Sequence, residues 1–157
     1  MSLILTLVDI PPVLAPAHPL ARATATTPAL ADVLTATLAL YQRRGHQPPW
    51  TGYLAGPTPT GPWLGTCGFA GPPLGGEVEL AYFTFPPHEG RGVATRMAAL
   101  LLERTRGPAR DAGLRIIAHT LPAEGASTRI LRGLGFACGG MVNHPEDGAV
   151  WKWGLAP

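Results

Sequence analysis

Lysine is almost missing from this chain: of its 12 basic residues only Lys152 is a lysine, the rest being arginine. Against 10 acidic residues the net charge is +2, too balanced for the basic surface that nucleic-acid binding uses. The lysine scarcity goes with 20 glycines, 18 prolines and abundant alanine, a mark of genomic base composition more than of function. Cysteine is scarce too. Cys67 and Cys138 lie far apart in apolar surroundings, which argues against a disulfide framework and fits small buried thiols in a reducing, cytoplasmic compartment. None of the 5 histidines and 2 cysteines stands at metal-ligand spacing, so the sequence implies no metal. Long hydrophobic runs are absent from the N-terminus. Met1 to Leu20 has no basic start, and Asp9, Pro11 and Pro12 interrupt it, so neither a signal peptide nor a membrane span is expected. The 157 residues suit a single domain over 1–157 with one sizeable core, as a monomer or homodimer.

What is present reads as alternating strands and helices. Ser2 to Ile10 is a β-prone run stopped by Pro11-Pro12, and a proline- and alanine-rich connector follows to about Thr26. Thr27-Pro28 looks like an N-cap and first-turn proline, with Leu30, Val33, Leu34, Leu38 and Tyr41 at helical spacing up to Gly45. Thr51 to Ala55, Trp63 to Phe69 and Glu77 to Phe85 are strand-like runs parted by glycine-proline turns, which predicts an antiparallel meander. Val93, Met97, Leu100 and Leu101 predict a helix whose pattern Gly107-Pro108 disturbs, with a possible resumption through Ala112. Leu114 to Ala118 is an unbroken apolar run, expected as a central strand parallel to the Glu77 strand. A short helix over Ala126 to Leu134 and two last strands, Phe136 to Val142 and Ala149 to Trp153, complete the pattern.

The turn Glu89-Gly90-Arg91-Gly92-Val93-Ala94 carries the most information. It joins a strand to a helix and offers backbone N–H groups beside the positive end of that helix, an anion site that needs no side chain. Gly90 and Gly92 lack a Cβ, so a phosphate can approach the chain closely. A dinucleotide fingerprint does not fit, because Thr95 replaces the third glycine and His119 stands where an acid should follow the next strand. No Gly-Lys-Ser/Thr follows the turn, so a P-loop is excluded as well.

In order along the chain, these residues resemble the GNAT superfamily of N-acetyltransferases. The glycine turn matches that family's cofactor motif, and Val78 to Phe85 its fourth strand. His119-Thr120-Leu121-Pro122, Ala126 to Leu131 and Leu134-Gly135-Phe136 look like the subgroup of ribosomal-protein N-terminal acetyltransferases, RimJ/RimL-like. The resemblance runs from about Trp63 to Trp153. It implies a mixed α/β (α+β) acyl-CoA N-acyltransferase fold, a mostly antiparallel central sheet flanked by helices. It also implies acetyl-CoA as acetyl donor, and a primary amine, either a small molecule or a protein or peptide N-terminus, as acceptor. On the matching positions, Gly90, Arg91, Gly92, Val93 and Ala94 would cradle the pyrophosphate, and the backbones of Phe83 and Phe85 would pair with the pantetheine arm. Three positions depart from the pattern. Glu89 replaces a usual Gln or Arg, Glu124 and Gly125 stand where an asparagine is usual, and Leu131 replaces the tyrosine that protonates the departing thiolate.

Transfer to an amine needs a free nitrogen lone pair, so some group must take the proton of the ammonium form. Glu79 is the first candidate, a carboxylate in a strand of apolar residues and at a position often acidic in the family; the alternative is a solvent-facing residue of an alternating strand. His119 ends the next strand and is either a second base or a core histidine with a partner. Ser127 is the nearest substitute for the missing tyrosine. His88 precedes the turn and reads as a loop histidine, and Tyr82 reads as packing. Trp151 and Trp153 share one strand face and could line an acceptor pocket. The rival to an enzyme is a non-catalytic acyl-CoA-binding sensor or partner module, favoured by the missing asparagine and tyrosine.

Overall fold

Two apolar faces of one twisted sheet organise the chain. The structure, a computed structural model, describes residues 3–156. Among these the strands are β1 (Thr6–Asp9), β2 (Gly52–Gly56), β3 (Gly65–Phe69), β4 (Glu77–Thr84), β5 (Arg115–Thr120), β6 (Phe136–His144) and β7 (Gly148–Leu155). The helices are α1 (Pro19–Ala23), α2 (Pro28–Arg44), α3 (Val93–Asp111) and α4 (Ala126–Gly133). The sheet has seven strands in the order β1-β2-β3-β4-β5-β7-β6. Only β4 and β5 run parallel, and α3 connects them; the other neighbours are antiparallel. This is the mixed, mostly antiparallel sheet expected from the sequence.

Most elements fall within a few residues of the sequence reading. The first strand is shorter, and Ser2, at the start of the expected run, lies outside the described residues. The connector hides α1, whose five residues are too few to show a helical period; the His18 Nδ1 accepts the Leu20 N–H at its start. Thr27 does occupy the N-cap of α2, but its side chain makes no cap bond. The largest difference is Pro108, which sits inside α3 without ending it. A proline there costs one backbone bond. The helix continues because its core face does: Thr105 and Ala109 are buried around the proline, and Thr105 Oγ1 donates to the Leu101 carbonyl.

One face of the sheet packs Val78, Leu80, Ile116, Ala118 and Trp153 against Val93, Met97 and Leu101 of α3 and Leu131 of α4. The other packs Ile10, Leu54, Trp63 and Phe85 against Leu20 of α1 and Leu30, Leu34 and Tyr41 of α2. Trp153 is wholly buried, its Nε1 donates to Thr120 Oγ1, and the Arg132 guanidinium lies over its ring. So Trp151 and Trp153 do share a face, but it is the α3–α4 core face rather than a pocket wall. No described helix is long and apolar enough to cross a membrane.

Candidate active site

The site exists because two parallel strands part company. β4 and β5 pair at Glu77↔Arg115, Val78↔Ile116 and Glu79↔Ile117. Past Glu79, β4 stays with β3 while β5 stays with β7, and a gap opens between them. The Glu79 carbonyl accepts from Ala70 N–H and the Phe85 N–H donates to the Leu64 carbonyl. Antiparallel pairing alternates, so the odd residues of β4 turn their backbone groups to β3 and the even ones turn theirs to the gap. Leu80, Tyr82 and Thr84 therefore offer the free N–H and C=O groups to an extended ligand.

That geometry corrects the expectation for Phe83 and Phe85. Phe83 is paired with Thr66 on the β3 side. Phe85 spends its N–H on Leu64, its carbonyl accepts from the His88 N–H, and its ring is 2% exposed. The sequence points to a strand that does have a free edge but not to which backbone edge stays unpaired, because that depends on the partner strand.

A 3₁₀ turn, Pro86–His88, leads from β4 into the glycine turn. Gly90 and Gly92 have φ of 75° and 78°, a left-handed conformation that costs other residues energy. A Cβ at either would meet nothing within 4 Å, so backbone angle rather than internal crowding calls for glycine. Gly92 is the N-cap of α3 and has no side chain to give the first turn. The Arg96 N–H is the first to reach back, to the Gly92 carbonyl, which leaves the N–H groups of Val93, Ala94 and Thr95 without a helical acceptor. The Val93 side chain is buried in the core, so that residue can offer only its backbone. Arg91 and Glu89 are both exposed. Beside this helix end a cavity of about 370 Å³, lined by Thr95, Ala126, Arg129, Ile130, Gly133 and Leu134, separates α3 from α4.

On the α4 side Ser127 is exposed and Leu131 buried. The Tyr82 hydroxyl spans the gap, 3.5 Å from the Ser127 carbonyl. Burial raises the Tyr82 pKa, and the hydrogen bond to Ser127 offsets this in part. Glu124, at a position where the family usually has asparagine, bonds Arg132 twice and also accepts from Thr128 Oγ1, which in turn accepts the Gly125 N–H. The Arg132 bonds hold the Glu124 carboxyl down at about 2.

The opposite sheet face carries the titratable groups. Glu79 Oε1 lies 2.9 Å from His119 Nδ1 and 3.5 Å from His144 Nε2, and the two imidazole rings are 5.0 Å apart. Glu77 is neutralised by Lys152 at 2.8 Å. A cavity of about 160 Å³ opens on Glu79 and Glu77, with Ile117, Leu74, Gly71 and Arg44 around it. Arg44 donates to the carbonyls of Ala70 and Pro72 and so pins the β3–β4 loop that forms this wall.

The structure thus brings Glu79 and His119 into contact and leaves Ser127 on the opposite, α3–α4 face. His144 escaped the sequence reading. It lies 65 residues from Glu79 on an edge strand, and only the curl of the β6–β7 hairpin delivers it. The bulge between Cys138 and Met141, where Gly140 has φ of 104°, adds the twist that swings the hairpin tip over β5.

Sequence and structure comparisons agree with this geometry. A family described as "Acetyltransferase (GNAT) domain" matches residues 6–137. No curated protein matches the sequence. A chimera of Vibrio cholerae spermidine N-acetyltransferase and hSSAT superposes with a TM-score of 0.67 at 13% identity, over 96% of this chain and 94% of that one. An acetyl transferase of Salmonella typhimurium that modifies the N-terminal serine of a 50S ribosomal subunit protein gives 0.63 at 16%, over 99% and 96%. An acetyltransferase of Agrobacterium tumefaciens gives 0.61 at 20%, over 94% and 89%. At such identities the superpositions speak for the fold alone, and the domain match speaks for the family. The parted β4–β5 pair, the glycine turn capping α3 and the domain match across 6–137 together place this chain in the GNAT family of acetyltransferases, as an acetyl-CoA-dependent N-acetyltransferase.

Proposed function

We propose that the protein moves the acetyl group of acetyl-CoA directly to a primary amine, a small amine or a protein N-terminus, and that the two reactants meet from opposite faces of the sheet. One observation carries this reading: Glu79 is the last β4 residue paired with β5, so its carboxylate stands at the mouth of the gap. The pyrophosphate would sit on the backbone from Gly90 to Ala94, with Arg129 lining the cavity beside it. The pantetheine arm would pair with the gap-facing edge of β4 and end near Glu79. The amine would enter through the cavity that Glu79 lines.

Glu79 takes the amine proton, directly or through one water, and the freed lone pair attacks the thioester carbonyl. The C–N bond forms, the tetrahedral intermediate collapses, and the C–S bond breaks. A thiolate is a good leaving group, so the loss of the family tyrosine at Leu131 is tolerable. The acceptors named for the superposed enzymes, spermidine and a protein N-terminal serine, are both amines and motivate the panel to test.

The deciding experiment is thiol release from acetyl-CoA against a panel of polyamines, amino acids and short peptides. Turnover with at least one amine, lost in Glu79→Gln with CoA binding intact, supports the reading. The buried Leu131 favours the rival, a CoA-binding sensor. Tight CoA binding with no turnover on any amine would decide for it.

A further inference from the structure

Three different strands bring one carboxylate and two imidazoles to a common point. Glu79 of β4, His119 of β5 and His144 of β6 each present a ligand atom, all within 4.8 Å of one another. The two measured separations, 2.9 and 3.5 Å, bracket the roughly 3.3 Å between ligand atoms of a tetrahedral ion with bonds of about 2.0–2.1 Å. His119 Nδ1 is fully enclosed and makes no hydrogen bond of acceptable angle, even with Oε1 so close. The surrounding charge also suits a cation: Lys152 is tied to Glu77, and the Asp147 carboxylate lies 3.4 Å from His144 Nδ1.

We propose that Glu79, His119 and His144 bind a zinc-type divalent ion, and that its binding switches acetyl transfer off. Two imidazoles and one carboxylate select borderline metals over magnesium or calcium, which take oxygen ligands. Three protein ligands leave one coordination position open, as in catalytic zinc sites, and Glu79 also lines the cavity proposed for the acceptor. Binding requires one tautomer change. His144 Nδ1 accepts the N–H groups of Glu146 and Asp147 at 3.2 and 3.3 Å, so the proton resides on Nε2. A metal on Nε2 moves that proton to Nδ1, where Asp147 is placed to accept it, as carboxylates behind metal-bound histidines do. The effect on turnover rests on the reading of Glu79 as proton acceptor, since a metal-bound carboxylate cannot take the amine proton. The binding itself does not rest on it.

Cobalt(II) is the probe, because tetrahedral cobalt absorbs strongly in the visible and zinc does not. Chelator-treated protein carrying Cys138→Ser, which removes the exposed thiol as a competing ligand, is titrated with cobalt and then with zinc. One saturable site per chain is expected, displaced by zinc and weakened at least about tenfold in His144→Ala. His119→Asn is the second variant, and should weaken it likewise. Weak absorption without saturation, or a titration that both variants leave unchanged, overturns the site. Zinc should also stop amine acetylation in the unsubstituted protein, reversibly by chelator, and inhibit His144→Ala at least about tenfold less. Zinc-loaded protein with full turnover overturns the switch. If metal-free protein acetylates no amine, the proposed function fails while the cobalt titration still decides the metal site.

Discussion

The two faces of the sheet at the β4–β5 gap are built from different materials. On the α3–α4 face, the groups proposed for the donor are backbone: unpaired N–H groups of the α3 first turn, the left-handed glycines before it, and the free edge of β4. On the opposite face, proposed for the acceptor, they are side chains: Glu79, His119 and His144, with Arg44 and Glu77 at the cavity wall. A backbone site recognises a group every donor molecule carries, and depends on little beyond where glycine is allowed. A side-chain site can be rewritten one residue at a time, which suits the part of an enzyme that must differ between acceptors. On the proposed reading, the fold would hold the donor by geometry and leave the acceptor to chemistry.

Substitutions on either face should separate the two. The largest effect is expected from Gly92→Asp, which puts a carboxylate at the cap where the anion would lie and forces a side chain into a φ of 78°. CoA binding by calorimetry should vanish while circular dichroism stays that of a folded protein; unchanged affinity would move the phosphate site elsewhere. Next comes Glu79→Gln, for which kcat should fall about 10²–10⁴-fold with CoA affinity nearly unchanged. A variant with normal kcat would return Glu79 to a structural role and direct attention to His119.

A smaller effect is expected from Tyr82→Phe, which tests whether the faces communicate through the gap. Tyr82 sits on the α3–α4 face with its hydroxyl near Ser127, and burial raises its pKa above the ordinary tyrosine value. If it assists the departing thiolate, kcat should drop up to about tenfold, below the usual general-acid range because the thiolate needs little help. A drop as large as that of Glu79→Gln would make Tyr82 the acid that Leu131 cannot be. The smallest effect belongs to Arg132→Ala, away from both reactants. The Glu124 carboxyl, now at about 2, should return toward its ordinary value in an NMR titration. The sign follows from the lowered value: the Glu124 contribution is present above the ordinary carboxylate range and fades as pH falls toward 2. Glu124 and Arg132 are both exposed, so the ion pair itself adds little to thermal stability at neutral pH, and any fall in Tm reports the lost packing of Arg132 on the Trp153 ring. A Glu124 titration unmoved by Arg132→Ala would show that the bonds to Arg132 do not hold it down.

Much of this was open to reading along the chain, because it is written in local chemistry. Gly90 and Gly92 are needed for a backbone angle, a property of those residues alone, so the left-handed turn could be placed to the residue. The helical spacing of Val93, Met97 and Leu101 and the apolar run before His119 are equally local, and both elements stand where they were read. Pro108 shows the limit. Its local penalty is real, yet burial of Thr105 and Ala109 on the same helix outweighs it, and burial is a tertiary quantity.

By itself, then, the sequence determined the order of the strands and longer helices, the left-handed glycine turn and the strand that borders the gap, since each depends on residues within a few positions of one another. Tertiary structure alone decided which edge of β4 is free: that of Leu80, Tyr82 and Thr84, not that of Phe83 and Phe85. It alone assembled Glu79 with His119 and His144, from strands that no spacing rule connects. The physical reason is the same in both cases. Hydrogen-bond partners and side-chain clusters across a sheet are set by register, parting and twist, and those arise only when distant strands pack together.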